Sequence, residues 1–392
     1  MKIFEKISEL DVGNLASELV KIQSGSFMDS QEEEIAAYIC EWLTGHGIET
    51  EIYEVEKGRP NVVARIRGRE GPSLLLTGHT DTVPAYDMED AFSGRNENGM
   101  IYGRGTTDMK GALAAMMVAM AAIKKSEIDL DGDLWFAAVV DEEEQGKGTK
   151  ALISNWCGAS ATIVGEPTSM NIALGNKGLE WINIDVFGRK VHGSAQKDGI
   201  NAIAMASRFI TYLYDAYVPE ILEKRNHPVL GNPTVNIGKI CGGDQPSTVA
   251  DLCSVQLDRR AIPGETIDQV YRELHKIFEI MKEKYPGFEA EAKDMFEGQN
   301  DLPHLPFYTD GDVDIVKAIQ AAAKSSGLHE RELTVCHAWT DAGFIANNTD
   351  SDCVIMGPGD IALAHSINEA VSVDELEDAA RIYAATALEY CL

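Results

Sequence analysis

Five stretches of this 392-residue chain end an apolar run or a glycine-rich turn with a side chain able to hold a metal or move a proton. His79 and Asp81 follow "SLLLTG". Asp108 lies in "YGRGTTDMKG". The run "DEEE", 141–144, follows "GDLWFAAVV". Glu166 follows "ATIVG", and His365 follows "CVIMG" after a Gly/Pro loop. Each has a plainer reading by itself. A histidine after a strand is often a loop residue, an acidic run suits a helix N-terminus, "GEP" is a common turn, and Asp108 suits a helix cap. Their recurrence at strand and loop ends is what points to chemistry. Two imidazoles and at least three carboxylates suit zinc, manganese or cobalt. Carboxylates gathered without a cation would repel one another and take up protons. Two metals sharing one carboxylate would remove that cost. His79 is then a ligand, and Asp81 its partner that fixes the ring tautomer.

These residues need a scaffold that brings strand ends together. Residues 31–47 read as an amphipathic helix, 61–67 and 73–78 as strands, and 109–125 as a small-residue apolar helix buried between layers. Strands at 132–140 and 161–165 flank a helix at 147–155. This alternation predicts an α/β layered sheet, mostly parallel, with ligands at the carboxyl ends of its strands. Near residue 178 the texture changes. Strand-like stretches at 234–243, 253–262 and 288–295, with helices at 201–218 and 266–285, predict an α+β insert. A strand at 353–357 and helices at 312–325 and 374–390 resume the first pattern. The expected boundaries are 1–177 and 297–392 for a catalytic domain in two parts, and 178–296 for the insert.

Composition narrows the function. Acidic residues number 63 against 34 basic ones, a formal charge of −29, which disfavours nucleic acid and anionic membranes as partners. The seven cysteines, Cys40, Cys157, Cys241, Cys253, Cys336, Cys353 and Cys391, form no C-x-x-C pair and read as reduced thiols of a cytoplasmic protein. The N-terminus lacks the pattern of a signal peptide, and no apolar run is expected to reach membrane-spanning length.

The motifs "GHTDTVP" (78–84), "YGRGTTDMKG" (102–111), "EEQG" (143–146), "GEPT" (165–168), "VHGSA" (191–195), "LDRRAIPGE" (257–265) and "AHSINE" (364–369) stand in the order of one family. The chain resembles the M20 family of metal-dependent amidohydrolases and peptidases, which includes acetylornithine deacetylases and succinyl-diaminopimelate desuccinylases. The resemblance implies a zinc-peptidase-like catalytic domain with an inserted lid and dimerisation domain. It implies that His79, Asp108 and Glu166 hold one metal, and that Asp108 bridges to a second held by Glu144 and His365. Asp81 would orient His79. Glu143 would be the general base; "DEEE" offers Glu142/Glu143 or Glu143/Glu144 as base and ligand, and Gly146 favours the second pair. His192 would reach a neighbouring subunit's site and stabilise an oxyanion, and Arg260 would clamp a substrate carboxylate. Where relatives carry an asparagine in the insert, this chain has Ser247, Thr248 and Ala250. Asp341, in "TDAGF", reads as structural. The expected activity is cleavage of an N-acyl amino acid of the deacetylase or desuccinylase type, with a dipeptidase or carboxypeptidase as the alternative. The expected cofactors are two divalent ions, Zn2+ or else Co2+ or Mn2+. The expected assembly is a homodimer. A non-catalytic binder would have lost a ligand or the base, and both are present.

Overall fold

The computed structural model describes residues 2–25, 31–156, 158–295 and 302–392. Cys157 and the expected boundary at 296/297 lie outside them. The chain divides into two compact units: Met1–Gly175 with Tyr308–Cys336 and Thr340–Leu392, and Asn176–Phe307 with His337–Trp339.

In the first unit four strands run parallel side by side, in the order Leu134–Val139, Leu74–His79, Ala161–Val164 and Asp352–Ile355. They are apolar on both faces because helices cover both, as a parallel sheet requires. Leu74, Leu75 and Leu76 are buried accordingly. Antiparallel strands Arg59–Ile66 and Glu49–Glu56 extend one side. Glu49–Glu56 carries charge at every second or third position and half-buried residues between, a pattern weak enough to escape a sequence reading. The parallel direction has a direct consequence. His79, Asp141, Glu166 and the loop after Ile355 all leave the sheet at the same edge.

Helix Gly111–Lys125 lies in the core, with Gly111 to Ile123 all buried. The segment Thr106–Lys125 is long and apolar enough to cross a membrane, which corrects the expectation that no run reaches that length; here Thr106 to Ile123 are packed inside the unit and Lys124 and Lys125 are exposed. Met109 precedes it and presses against Gly78, where an added Cβ would fall 2.0 Å from Met109 Cε. Glycine at 78 leaves room for the Met109 side chain between the strand carrying His79 and the turn carrying Asp108. A small antiparallel sheet of Arg95–Glu97, Met100–Tyr102 and Ala370–Ser372 joins the two ends of this unit's chain.

The second unit holds an antiparallel sheet in the order Thr234–Gly242, Leu252–Arg260, Glu180–Phe187 and Glu289–Asp294. Alternation buries Ile182, Ile184, Val186, Cys253, Val255 and Leu257 on one face. Helices Ala202–Tyr212 and Ile267–Lys284 cover that face through Ala206, Phe209, Leu274 and Phe278. Among the described residues Cys40, Cys241, Cys253, Cys353 and Cys391 are free thiols.

Candidate metal centre

His79 ends its strand with its ring 1% exposed. Its Nδ1–H donates to the backbone carbonyl of Asp81 at 2.9 Å, and the Asp81 carboxylate is farther, with Oδ1 at 3.5 Å. With Nδ1 so engaged, a protonated ring donates from Nε2, whereas a neutral ring keeps a lone pair there that can bind a metal. That nitrogen faces Asp108 Oδ1 at 2.9 Å and Glu166 Oε1 at 3.8 Å. On the other side of Asp108, Oδ2 lies 3.3 Å from His365 Nε2, which is also 3.1 Å from Glu143 Oε1. Asp108 thus stands between the two imidazoles; its peptide bond to Met109 is cis.

The Asp81 carboxylate serves the glutamate turn rather than the ring alone. Its oxygens accept the backbone N–H groups of Glu142 at 3.2 Å and Glu143 at 3.0 Å. The turn closes on the Asp141 carbonyl, which accepts from Gln145 at 3.1 Å and Gly146 at 2.5 Å. Gly146 ends it at φ +64°, with an added Cβ 2.5 Å from Phe344, so glycine is required there. This geometry differs from the register expected from sequence, in which Glu143 is the base and Glu144 the ligand. Glu142 and Glu143 turn inward, whereas Glu144, the expected ligand, is exposed. The inward pair is one position earlier because Asp81 captures the N–H groups of residues 142 and 143 and so orients those two side chains.

Two sets of donor atoms converge within 4.8 Å: His79, Glu142 and Glu166, and His79, Asp108 and Glu143. Glu166 Oε1 is buried and makes no hydrogen bond. The protons respond to the crowding. Burial and then the nearest carboxylates raise the pKa of Glu142, Glu143 and Glu166. Burial also raises that of Asp108, but hydrogen bonds from His365 and His79 outweigh it and hold Asp108 well below the usual range. Asp108 and Glu143 push His365 up to about 10. A buried site with this much carboxylate and an unpartnered oxygen fits a divalent cation, whose charge replaces the protons.

Asp341 closes the floor beside Gly146. Its Oδ2 accepts from Thr149 Oγ1 at 2.6 Å, its Oδ1 is buried without a hydrogen bond, and burial pushes its pKa to about 7. The remaining expected residues belong to the second unit. His192 is exposed, and its Nδ1 accepts from Ser194 N–H at 3.2 Å. Arg260 spends its Nε and Nη2 on Asp258, at 2.7 and 2.9 Å, so the fork expected to clamp a substrate already holds a carboxylate of this chain. Sequence reasoning passed over Arg59 and Glu369, two buried charges that support the site. Their only signals were positions inside "GRPNVV" and at the end of "AHSINE".

Residues 75–389 match the model of peptidase family M20/M25/M40. The chain is 30% identical to an acetylornithine deacetylase of Photorhabdus laumondii, over 93% of this chain and 92% of the relative. It is 28% identical to an N-formyl-4-amino-5-aminomethyl-2-methylpyrimidine deformylase of Bacillus subtilis, over 96% of this chain and 94% of the relative. The crystal structure of a tripeptidase from Staphylococcus aureus superposes with a TM-score of 0.80 at 25% identity, covering 97% of this chain and 98% of that one. With its sheet edge of imidazoles and carboxylates and a family match over most of its length, the chain belongs to peptidase family M20/M25/M40.

Proposed function

We propose that this protein hydrolyses the amide bond of N-acyl amino acids with the help of two divalent cations. The observation that carries the reading is Asp108 set between His79 and His365, with Glu142, Glu143 and Glu166 turned toward them. His79, Asp108 and Glu166 would hold one ion, and Asp108, Glu143 and His365 would hold the other. When bound, the ions, Zn2+ first and Co2+ or Mn2+ as alternatives, polarise the amide carbonyl and acidify water. Glu142 takes the proton of the attacking water and delivers it to the leaving nitrogen as the C–N bond breaks, yielding an amine and a carboxylic acid. Its burial among carboxylates strengthens it as a base. Asp81 holds the Glu142–Glu143 turn in place.

Arg260 and His192 keep their proposed parts, in binding the substrate carboxylate and stabilising an oxyanion; a substrate must take Arg260 over from Asp258. Similarity to deacylating relatives supports the acyl amino acid as substrate. Similarity to a tripeptidase supports a short peptide as the second reading. The test is a panel of N-acetyl-, N-formyl- and N-succinyl-amino acids against di- and tripeptides, run after chelation and again with Zn2+, Co2+ or Mn2+. Turnover of acyl amino acids that disappears on chelation and returns with metal is expected. Turnover of peptides alone selects the second reading, and turnover unaffected by chelation removes both.

The second unit is proposed as the lid and dimerisation domain, and the free cysteines support a reducing, cytoplasmic setting. Sedimentation of the active enzyme is expected to give a dimer of the 42.7 kDa chain; a fully active monomer would refute the assembly.

A further inference from the structure

One buried carboxylate, unused by the reaction above, ties together the segments that carry the proposed ligands. Glu369 lies four residues after His365 and is fully buried. Its Oε1 accepts the backbone N–H groups of Gly105 at 2.9 Å, Thr107 at 3.0 Å and Asp108 at 3.2 Å. Its Oε2 pairs with Nη1 of Arg104, itself buried. Arg104 Nε in turn donates to the carbonyl of Pro84, five residues after His79, at 3.2 Å. The main chain reinforces the junction. Gly103 N–H donates to the Glu369 carbonyl at 3.2 Å, and Thr107 Oγ1 to that of Ala370 at 3.0 Å.

The chemistry explains why a carboxylate is used. The turn before Asp108 belongs to no regular ladder, so its N–H groups need another acceptor. A single ionised oxygen satisfies three of them, with stronger bonds than a neutral acceptor makes. The guanidinium of Arg104 compensates a charge that would otherwise be costly to bury. The result fixes the backbone of Asp108 relative to the segment that leads from His365.

We propose that Glu369, with Arg104, is a positioning residue that sets the spacing of Asp108 and His365 and thereby the affinity of the site for its cations. This rests on the reading of those two residues as ligands. The experiment titrates the full chain, stripped by chelation, with Zn2+ in a calorimeter. Glu369→Gln keeps the shape and loses the charge; Glu369→Asp keeps the charge and loses the reach. Both are expected to weaken Zn2+ binding about 10–100-fold and to lower kcat with KM little changed. Tyr383→Phe, which removes a buried bond to the Met356 carbonyl, is the structural control and is expected to lower the melting temperature alone. If Asp108→Ala binds Zn2+ as the native chain does, the ligand reading fails. If Asp108→Ala loses Zn2+ while the Glu369 variants retain native affinity, the positioning role fails. Should neither Glu369 variant fold even with excess Zn2+, Glu369 is a core ion pair and no more, and the proposal is overturned.

Discussion

Glu142→Ala is expected to lower kcat by about 10²–10⁴-fold, the range for losing a general acid–base residue, while Zn2+ content and KM stay near native. Glu143→Ala is expected to lose Zn2+ as well as activity, and Glu144→Ala to behave as the native enzyme. The ordering follows from one turn. Asp81 accepts the N–H groups of residues 142 and 143, which aims their side chains at His79 and His365, and Glu144 faces solvent. Glu143 already contacts His365 at 3.1 Å, as a ligand should. Glu142 groups with His79 and Glu166 at the same edge, where a water bound near the carbonyl would be within its reach. The measurement is steady-state kinetics beside metal analysis on the three variants. Full turnover by Glu142→Ala with loss of turnover by Glu144→Ala would return the assignment to the register expected from sequence.

Arg59→Met is expected to cost about 3–5 kcal/mol of stability, the cost of breaking a buried pair by removing one partner. Against a total of about 5–15 kcal/mol for a domain, that is a large share. Arg59 is 5% exposed and grips two buried carboxylates at once. Nε and Nη2 hold Glu32, the latter at 2.5 Å, and Nη1 pairs with Asp141, the first residue of the glutamate turn. Burial already raises the pKa of Glu32 and of Asp141, with Arg59 opposing the rise. Without Arg59 both carboxyls would retain protons to higher pH in the folded state than in the unfolded chain. Folded pKa values above the unfolded ones mean stability that is present at low pH and declines as pH rises. The loss should therefore be smaller at pH 5 than at pH 8, and Glu32→Gln added to Arg59→Met should recover part of it. Thermal and urea unfolding at both pH values would check this. A variant within 0.5 kcal/mol of native at pH 8, in the range of ordinary surface changes, would contradict it.

Much of the scaffold is visible in local patterns. The apolar runs at 73–78, 132–140 and 161–165 are strands with boundaries shifted by a residue or two, and "MKGALAAMMVAMAAIKK" is the buried helix. These persist because burial on both faces selects residues one by one, and a strand or helix records that selection in consecutive positions. The strand Glu49–Glu56 and the small sheet around Met100–Tyr102 were not visible, since an exposed edge strand and three-residue strands leave no such record.

The sequence by itself determined the class of the fold, the parallel strands whose ends meet at one edge, and His79, Asp108, Glu166 and His365 as the groups found there. Tertiary structure decided which two of three consecutive glutamates face inward, and that Arg59 and Glu369 brace the site. The reason is range. A strand end is a local event written in neighbouring residues, but the register of a turn is set by a carboxylate 61 and 62 positions away, and Arg104 meets Glu369 across 265 positions. Nothing in the chemistry of a glutamate says which distant N–H or guanidinium it will meet; only the folded chain brings them together.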